Sequence, residues 1–236
     1  MLKIKDLKVL YEDNHLIAVN KPAGWLVQGD DTGDTPLSDY VKAYIKKKYN
    51  KPGEVFCGVI HRLDRPVSGA VIFARTSKGL SRMNELFRDQ KIHKEYLAIT
   101  KERPDPIEGA IQHYLLKDPV KNRTRAYEKL GNRTKHAKLS KLTYKLIAQI
   151  DGHCLLRINP LTGRPHQIRV QLSEIGCPIK GDFKYGFQSS NQNGSIFLHC
   201  NSMSFMHPIK QIPIKIEASV PNEFFWRQFK HVLKER

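Results

Sequence analysis

Cysteine is scarce in this chain: four in 236 residues, at positions 57, 154, 177 and 200, with no CxxC pair among them. That scatter argues against a disulfide framework or a zinc site and points to a reducing, cytoplasmic setting. Long apolar runs are also missing. No stretch of about 18 apolar residues exists, so no segment is expected to span a membrane. The N-terminal MLKIKDLKVL alternates charged and apolar residues like a strand and lacks the apolar core of a signal peptide. Phosphate-loop, dinucleotide-binding and nucleophile-elbow signatures (GxxxxGK[ST], GxGxxG, GxSxG) are absent. The ten histidines fall at no metal-ligand spacing, so no metal is expected.

Acidic residues are few beside basic ones. Forty Lys and Arg against 23 Asp and Glu give a net charge of +17. The excess is concentrated: Lys117 to Lys145 holds ten basic and two acidic residues. Such a patch favours a polyanion. A lipid surface fits less well, because the segment has no clean amphipathic helix. Hydrophobic residues at 40% suffice for a packed core.

Strand and helix signals alternate without a regular βαβ repeat. Val9–Asn20 reads as two strands around a turn at Asp13-Asn14, and Pro36–Tyr49 as a helix with Leu37, Tyr40, Val41, Tyr44 and Ile45 on one face. Val55–Ile60 and Val71–Ala74 are short strands. Thr76 or Ser77 can cap a helix carrying Leu80, Met83 and Phe87, and Lys94–Thr100 is extended. Lys117–Lys138 is turn-rich, a hairpin or a mobile loop. Leu139–Ile150 and Cys154–Asn159 form a hairpin around Asp151-Gly152. Pro165 fits the first turn of a helix running through Gln171, with Ile168, Leu172 and Ile175 buried. The pattern predicts an α+β fold with a mixed, largely antiparallel sheet and flanking helices. With no linker and no repeat, one domain over residues 1–236 is the simplest count.

Two segments concentrate polar residues beside turn and strand signals. In HRLDRPVSG (61–69), Asp64 sits between Arg62 and Arg65, and residues 62 and 64 of an extended chain point to one face. An aspartate flanked by arginines is expected to stay ionised, which suits a nucleophile or an electrostatic stabiliser. A structural ion pair closing the turn is the equal alternative on these residues alone. In LTGRPHQIRVQLSEIGCPIKGDFKYG (161–186), a Gly-Arg-Pro turn feeds a helix N-terminus suited to anions. His166, Arg169 and Ser173 share a face roughly opposite Leu172 and Ile175. An arginine in the first turns works against the helix dipole and calls for a local anion, a carboxylate or a phosphate.

Taken together, VLYEDNHLIAVNKPAGWLVQ (9–28), HRLDRPVSGAVIFARTSKG (61–79), FRDQKIHKEYLAI (87–99), GRPHQIRVQLSEIGCPIKGDFKYG (163–186) and LHC…FMHP (198–208) resemble the RluA-type RNA pseudouridine synthases. They occur in that family's order and span nearly the whole chain. HRLD combined with HQIR is highly specific. The resemblance implies a pseudouridine synthase fold with a central catalytic cleft. It implies isomerisation of uridine to pseudouridine in structured RNA, ribosomal or transfer, by a monomer that needs no cofactor. Asp64 would be the essential catalytic residue. Tyr96 would pack against the uracil, Ile168 would line the apolar side of the pocket, and Arg169 would pair with Asp64. Arg62 would contact the RNA and help displace the flipped nucleotide. Lys21 would support the pocket floor. The chain departs from the family pattern at Val67 and Pro165, where threonine is common, and at LHC, where LHA is frequent. Many relatives carry an N-terminal S4 domain; here the motif begins at Val9, so RNA affinity is expected from the catalytic domain, with Lys121, Arg123 and Arg125 as the candidates. Arg65 is left as a bystander. A catalytically silent RNA-binding protein on the same fold is the alternative, and dependence of activity on Asp64 separates the two. A glycosidase would need a second positioned acid, and only Glu174 and Asp182 neighbour the motifs.

Overall fold

A computed structural model of the chain describes residues 7–234. They form two compact units, one comprising residues up to 93 together with 200–220, the other 94–199 together with residues from 221 on. The chain passes between the units at three places, so no single cut separates them and no linker marks the division.

In the first unit, β1 (Lys8–Glu12), β2 (Leu16–Lys21), β4 (Ser68–Ala74) and β10 (Leu198–Met206) lie in that order, with β3 (Gly58–Val59) beside β4 and β11 (Pro213–Glu217) beside β10. The pairs β1–β2, β2–β4, β3–β4 and β10–β11 are antiparallel. Asp13 shapes the first turn: its Oδ1 accepts the N–H groups of His15 and Leu16. Every residue of β4 is buried, so SGAVIFA reads as an unbroken apolar run rather than an alternating one. Helices α1 (Leu37–Lys48) and α2 (Ser77–Arg88) belong to this unit; α1 buries Leu37, Val41 and Ile45, and α2 buries Met83. Thr76 caps α2, its Oγ1 accepting the Gly79 N–H at 3.1 Å. The strand expected over Val55–Ile60 shrinks to two residues, because only Gly58 and Val59 find partners on β4.

The second unit is an antiparallel sheet in the order β5 (His93–Thr100), β9 (His153–Pro160), β8 (Lys138–Ile150), β6 (Glu108–Asp118), β7 (Arg123–Tyr127). The basic segment is thus a hairpin edge. Asp151 and Gly152, with φ of 48° and 70°, make the tight turn between β8 and β9. Helix α3 (Gln167–Glu174) packs on one sheet face, where Val170 meets Leu115 and Tyr185. It starts later than the sequence predicts: His166, at φ 54°, is left-handed, so Pro165 lies before the helix rather than in its first turn. It ends at Glu174, so Leu172 lies on it as expected, whereas Ile175 lies just beyond it and is half-buried. Its polar face is not solvated, since Gln167, Arg169 and Gln171 are as buried as Ile168 and Leu172. Short helices α4 (Phe224–Gln228) and α5 (Lys230–Lys234) close the unit, with Trp226 packed against Phe197 and His199. No described helix is long and apolar enough to cross a membrane.

Candidate active site

The loop that holds Asp64 is tied down at both ends within the first unit. At its start, His61 stacks on Phe87 with ring centroids 5.0 Å apart, and its Nε2 accepts the Ile72 N–H of β4 at 3.0 Å. That acceptor role places any proton of a neutral ring on Nδ1. At its end, the Val67 N–H donates to Asp64 O, closing the turn. Gly69 then runs against β10. It sits at φ 120°, and a Cβ there would lie 2.3 Å from Cys200 O. Only glycine permits that approach and that backbone angle. Along the loop, Arg62 is exposed, Leu63 buried and Asp64 half-buried, the alternation an extended chain imposes.

Lys21 supports the loop from below. It is fully buried, and its Nζ donates to the carbonyls of Pro22, Trp25 and Arg65 at 3.1, 2.8 and 3.1 Å. Burial pushes its ammonium down to about 7, and the charge of Asp64 opposes that shift. Three carbonyl acceptors require three N–H donors, which only the charged form has. Arg65, set aside from sequence as a bystander, is a structural clamp. Its Nη2 bonds Asp34 at 2.6 Å, its Nε donates to Gly24 O, and its own carbonyl accepts from Lys21 Nζ and Gly24 N–H. Its side chain is therefore committed to the 24–34 loop.

The remaining candidates lie in the second unit. Tyr96 of β5 pairs with Ile158, which pairs with Tyr144, which pairs with Gly109. Paired residues of antiparallel strands point to one face, and it is the face that also carries Ile111 and Leu115 and is covered by α3. Tyr96, Ile168 and Arg169 therefore belong to one side of this sheet. Ile168 is buried, and Tyr96 half-buried.

Arg169 is buried and held by a carboxylate that the sequence reading gave no role. Its Nε donates to Asp182 Oδ2 at 2.7 Å and its Nη2 to Asp182 Oδ1 at 2.8 Å. Asp182 is 1% exposed. This is an anion of the kind that an arginine near a helix N-terminus calls for. The ring of Tyr185 lies 4.9 Å from the guanidinium carbon of Arg169 and 5.5 Å from that of Arg123. The Tyr185 hydroxyl accepts the Thr124 N–H at 2.8 Å and lies 2.7 Å from His166 Nδ1. Burial pushes the phenol up; the Thr124 N–H and the charge of Arg169 oppose it. Thr124 Oγ1 also donates to Pro165 O, so the basic hairpin is bonded to the start of α3 once directly and once through the Tyr185 hydroxyl. The signal for Asp182 and Tyr185 was the GDFKYG end of the second motif.

All ten basic residues between Lys117 and Lys145 are exposed. Among the described residues, only Lys145 of these ten forms an ion pair, with Glu108 at 2.6 Å. On β7, Arg123 and Arg125 flank the buried Thr124, and Lys121 lies in the turn before it, its N–H bonded to Asp118. A groove of about 360 Å³ runs beside this strand, lined by Arg123, Arg125, Tyr127, Ser173 and Glu174 among others. Among the described residues, no group of three His, Cys, Asp or Glu side chains could hold a metal ion.

The RNA pseudouridylate synthase family model matches residues 15–174. Ribosomal large subunit pseudouridine synthase C of Rickettsia typhi is 32% identical over 92% of this chain and 69% of its own length. tRNA pseudouridine synthase C of Vibrio cholerae is 29% identical over 94% of this chain and 97% of its own. Among solved structures, human RNA pseudouridylate synthase domain containing 4 superposes with a TM-score of 0.78 at 23% identity, over 98% of this chain and 95% of that one.

Proposed function

The chain belongs to the RNA pseudouridylate synthase family, and from that premise we propose that it isomerises uridines of ribosomal or transfer RNA, with Asp64 carrying the reaction. The observation that carries the assignment to Asp64 is the construction of its loop. His61, Lys21, Arg65 and Gly69 fix the backbone around a carboxylate that is itself only half-buried. A carboxylate presented on a rigid loop suits chemistry on a bound nucleotide.

The reaction breaks the N1–C1′ bond between uracil and ribose, turns the base, and forms a C5–C1′ bond to the same sugar; the C5 proton is lost and a proton is taken up at N1. Substrate and product have the same atoms, so no electron or group donor enters. Asp64 acts on the uridine as nucleophile or as base. Tyr96 stacks on the uracil and Ile168 gives the apolar side of its pocket. Arg169 supplies positive charge to the reaction. Exposed Arg62 contacts the RNA and helps displace the flipped nucleotide. Lys121, Arg123 and Arg125 hold the phosphate backbone, which a local surplus of unpaired cations favours. These bases come from the chain's own sheet, so a monomer suffices for binding. Four free cysteines, three of them buried, fit the reducing cytoplasm as the compartment.

The names of the two bacterial relatives support ribosomal and transfer RNA as the substrate classes. The test is incubation of the purified chain with unmodified ribosomal and transfer RNA, followed by carbodiimide mapping of pseudouridine. New pseudouridine at discrete positions is expected. Tight binding of both RNAs without any new pseudouridine would overturn the reading.

A further inference from the structure

The groove beside β7 serves none of the steps assigned to Asp64, Tyr96, Ile168 or Arg169. β7 is the last strand of its sheet, so one of its two edges meets no further strand. In an antiparallel pair, the backbone groups of alternate residues point to that edge. Thr124 marks which residues these are: its N–H leaves the sheet and donates to the Tyr185 hydroxyl at 2.8 Å. Ala126 lies two residues on, in an unbroken register with β6, and therefore also turns its N–H outward. Ala126 lines the groove of about 360 Å³, and Ser173 and Glu174 at the end of α3 line it too. Both walls are fixed to one framework. Thr124 is bonded to Tyr185 and to the Pro165 carbonyl, and the Ser173 hydroxyl donates to the Tyr185 carbonyl at 2.6 Å. The groove is thus formed by the chain alone.

Its charges are mixed, on a surface that otherwise suits phosphates. Arg123 and Arg125 stand along it, both exposed. Glu174 is an exposed carboxylate on the same groove, and among the described residues it forms no ion pair. It is the last residue of α3, where a negative charge opposes the helix dipole. The fold gives this carboxylate no cation, and it repels a phosphate. A neutral group with N–H donors is what it can accept from. The groove therefore offers one outward N–H, at Ala126, and the two oxygens of Glu174.

Unpaired bases in RNA are read on their pairing edges. Guanine presents O6 as an acceptor and N1–H and N2–H as parallel donors. Uracil presents two carbonyls around one N–H, and cytosine and adenine each put a ring-nitrogen acceptor beside their amine. None of these three offers a carboxylate two parallel N–H donors. We propose that this groove is a subsite for an unpaired guanine of the substrate RNA. Ala126 N–H donates to O6, Glu174 accepts N1–H and N2–H, and Arg123 and Arg125 take the flanking phosphates. The inference rests on the reading of the β7 edge as an RNA-binding face. It adds a base that the protein reads apart from the uridine it isomerises.

The experiment is equilibrium binding of fluorescent ten-nucleotide RNA strands, with uridine throughout or with a single central guanosine, inosine, adenosine or cytidine. Inosine is guanosine without the N2 amine, so it removes one N–H from the contact and leaves the protein unaltered. From the strength of hydrogen bonds to a charged group, the wild type should bind the guanosine strand about 100-fold tighter than the all-uridine strand and about 10-fold tighter than the inosine strand. In Glu174→Ala both preferences should disappear, because the base change and the side-chain change remove the same contact. Arg125→Ala should weaken all the strands alike and keep the preferences. A wild type without a guanosine preference overturns the inference. So does a preference that survives Glu174→Ala, and so does one that favours adenosine or cytidine. If Arg125→Ala binds every strand as tightly as the wild type, the reading of the β7 edge falls, and this inference falls with it. Uniform weakening in Arg125→Ala without any guanosine preference removes the inference alone.

Discussion

Arg169 and Asp182 meet through two parallel hydrogen bonds, 2.7 and 2.8 Å long, with both side chains withdrawn from solvent. The arginine that the sequence places on a helix, against the helix dipole, is thus neutralised inside its own unit. The same logic recurs at Arg65, whose guanidinium is spent on Asp34 and Gly24.

Replacing Asp64 by Asn should abolish pseudouridine formation, a loss of about 10⁴-fold or more of the kind seen when a reacting side chain is removed. RNA affinity should stay at the wild-type level. Carbodiimide mapping reads the first and filter binding the second. An active Asp64→Asn enzyme would remove Asp64 from the mechanism.

Replacing Lys121, Arg123 and Arg125 together by Ala should weaken RNA binding and flatten its dependence on salt. Each lost phosphate contact reduces the slope of log K against log salt by about 0.7 to 0.9. Titrations at several salt concentrations give the slope directly. An unchanged slope places the RNA elsewhere on the surface.

Replacing Lys21 by Met should destabilise the protein by about 3 kcal/mol, because the buried carbonyls of Pro22, Trp25 and Arg65 lose their donor together. Urea denaturation measures this. A variant as stable as the wild type would mean that water replaces the ammonium without cost.

His207 gives a pH-dependent contribution with a definite sign. It is fully buried, its Nδ1 accepts the N–H groups of Ile209 and Lys210, and its Nε2 lies 2.9 Å from Asp13 Oδ2. Burial pushes its pKa down, Asp13 opposes this, and Lys210 and His15 add to it. The unfolded chain therefore takes up a proton that the folded chain refuses, and stability falls as pH drops below the ordinary histidine value of about 6.5. His207→Asn can still accept the two N–H bonds through its amide oxygen but does not titrate. Its stability should be flatter than that of the wild type between about pH 6.5 and 5. Parallel curves for the two proteins would exclude His207 as the source.

Much of this molecule is legible along the chain because the responsible interactions are local. The period-two and helical patterns mark β1, β2, α1, α2, β5 and the β8–β9 hairpin, and Thr76 announces its own helix. Arg62-Leu63-Asp64 alternates as an extended segment must. Local rules fail where distant partners decide. A left-handed His166 delays α3 past Pro165, and the partners there are remote: the Tyr185 hydroxyl beside the His166 ring, 19 residues on, and Thr124, 41 residues back, whose hydroxyl donates to the Pro165 carbonyl. The short β3 is limited by what β4 offers it. Arg65 differs from Arg62 only in what lies 31 and 41 residues away in sequence.

The sequence by itself determined the α+β class, the surplus of positive charge, the two polar motifs and the resemblance they carry, because these rest on residue type, order and short-range periodicity. Tertiary structure decided which charges are spent and which are displayed. Asp182 reaches Arg169, Asp34 reaches Arg65, and three carbonyls close on Lys21, while the bases of the β6–β7–β8 edge are left almost without acidic neighbours. A side chain's electrostatic partner is whatever the fold brings within about 3 Å of it, and a one-dimensional order of residues contains no such distance.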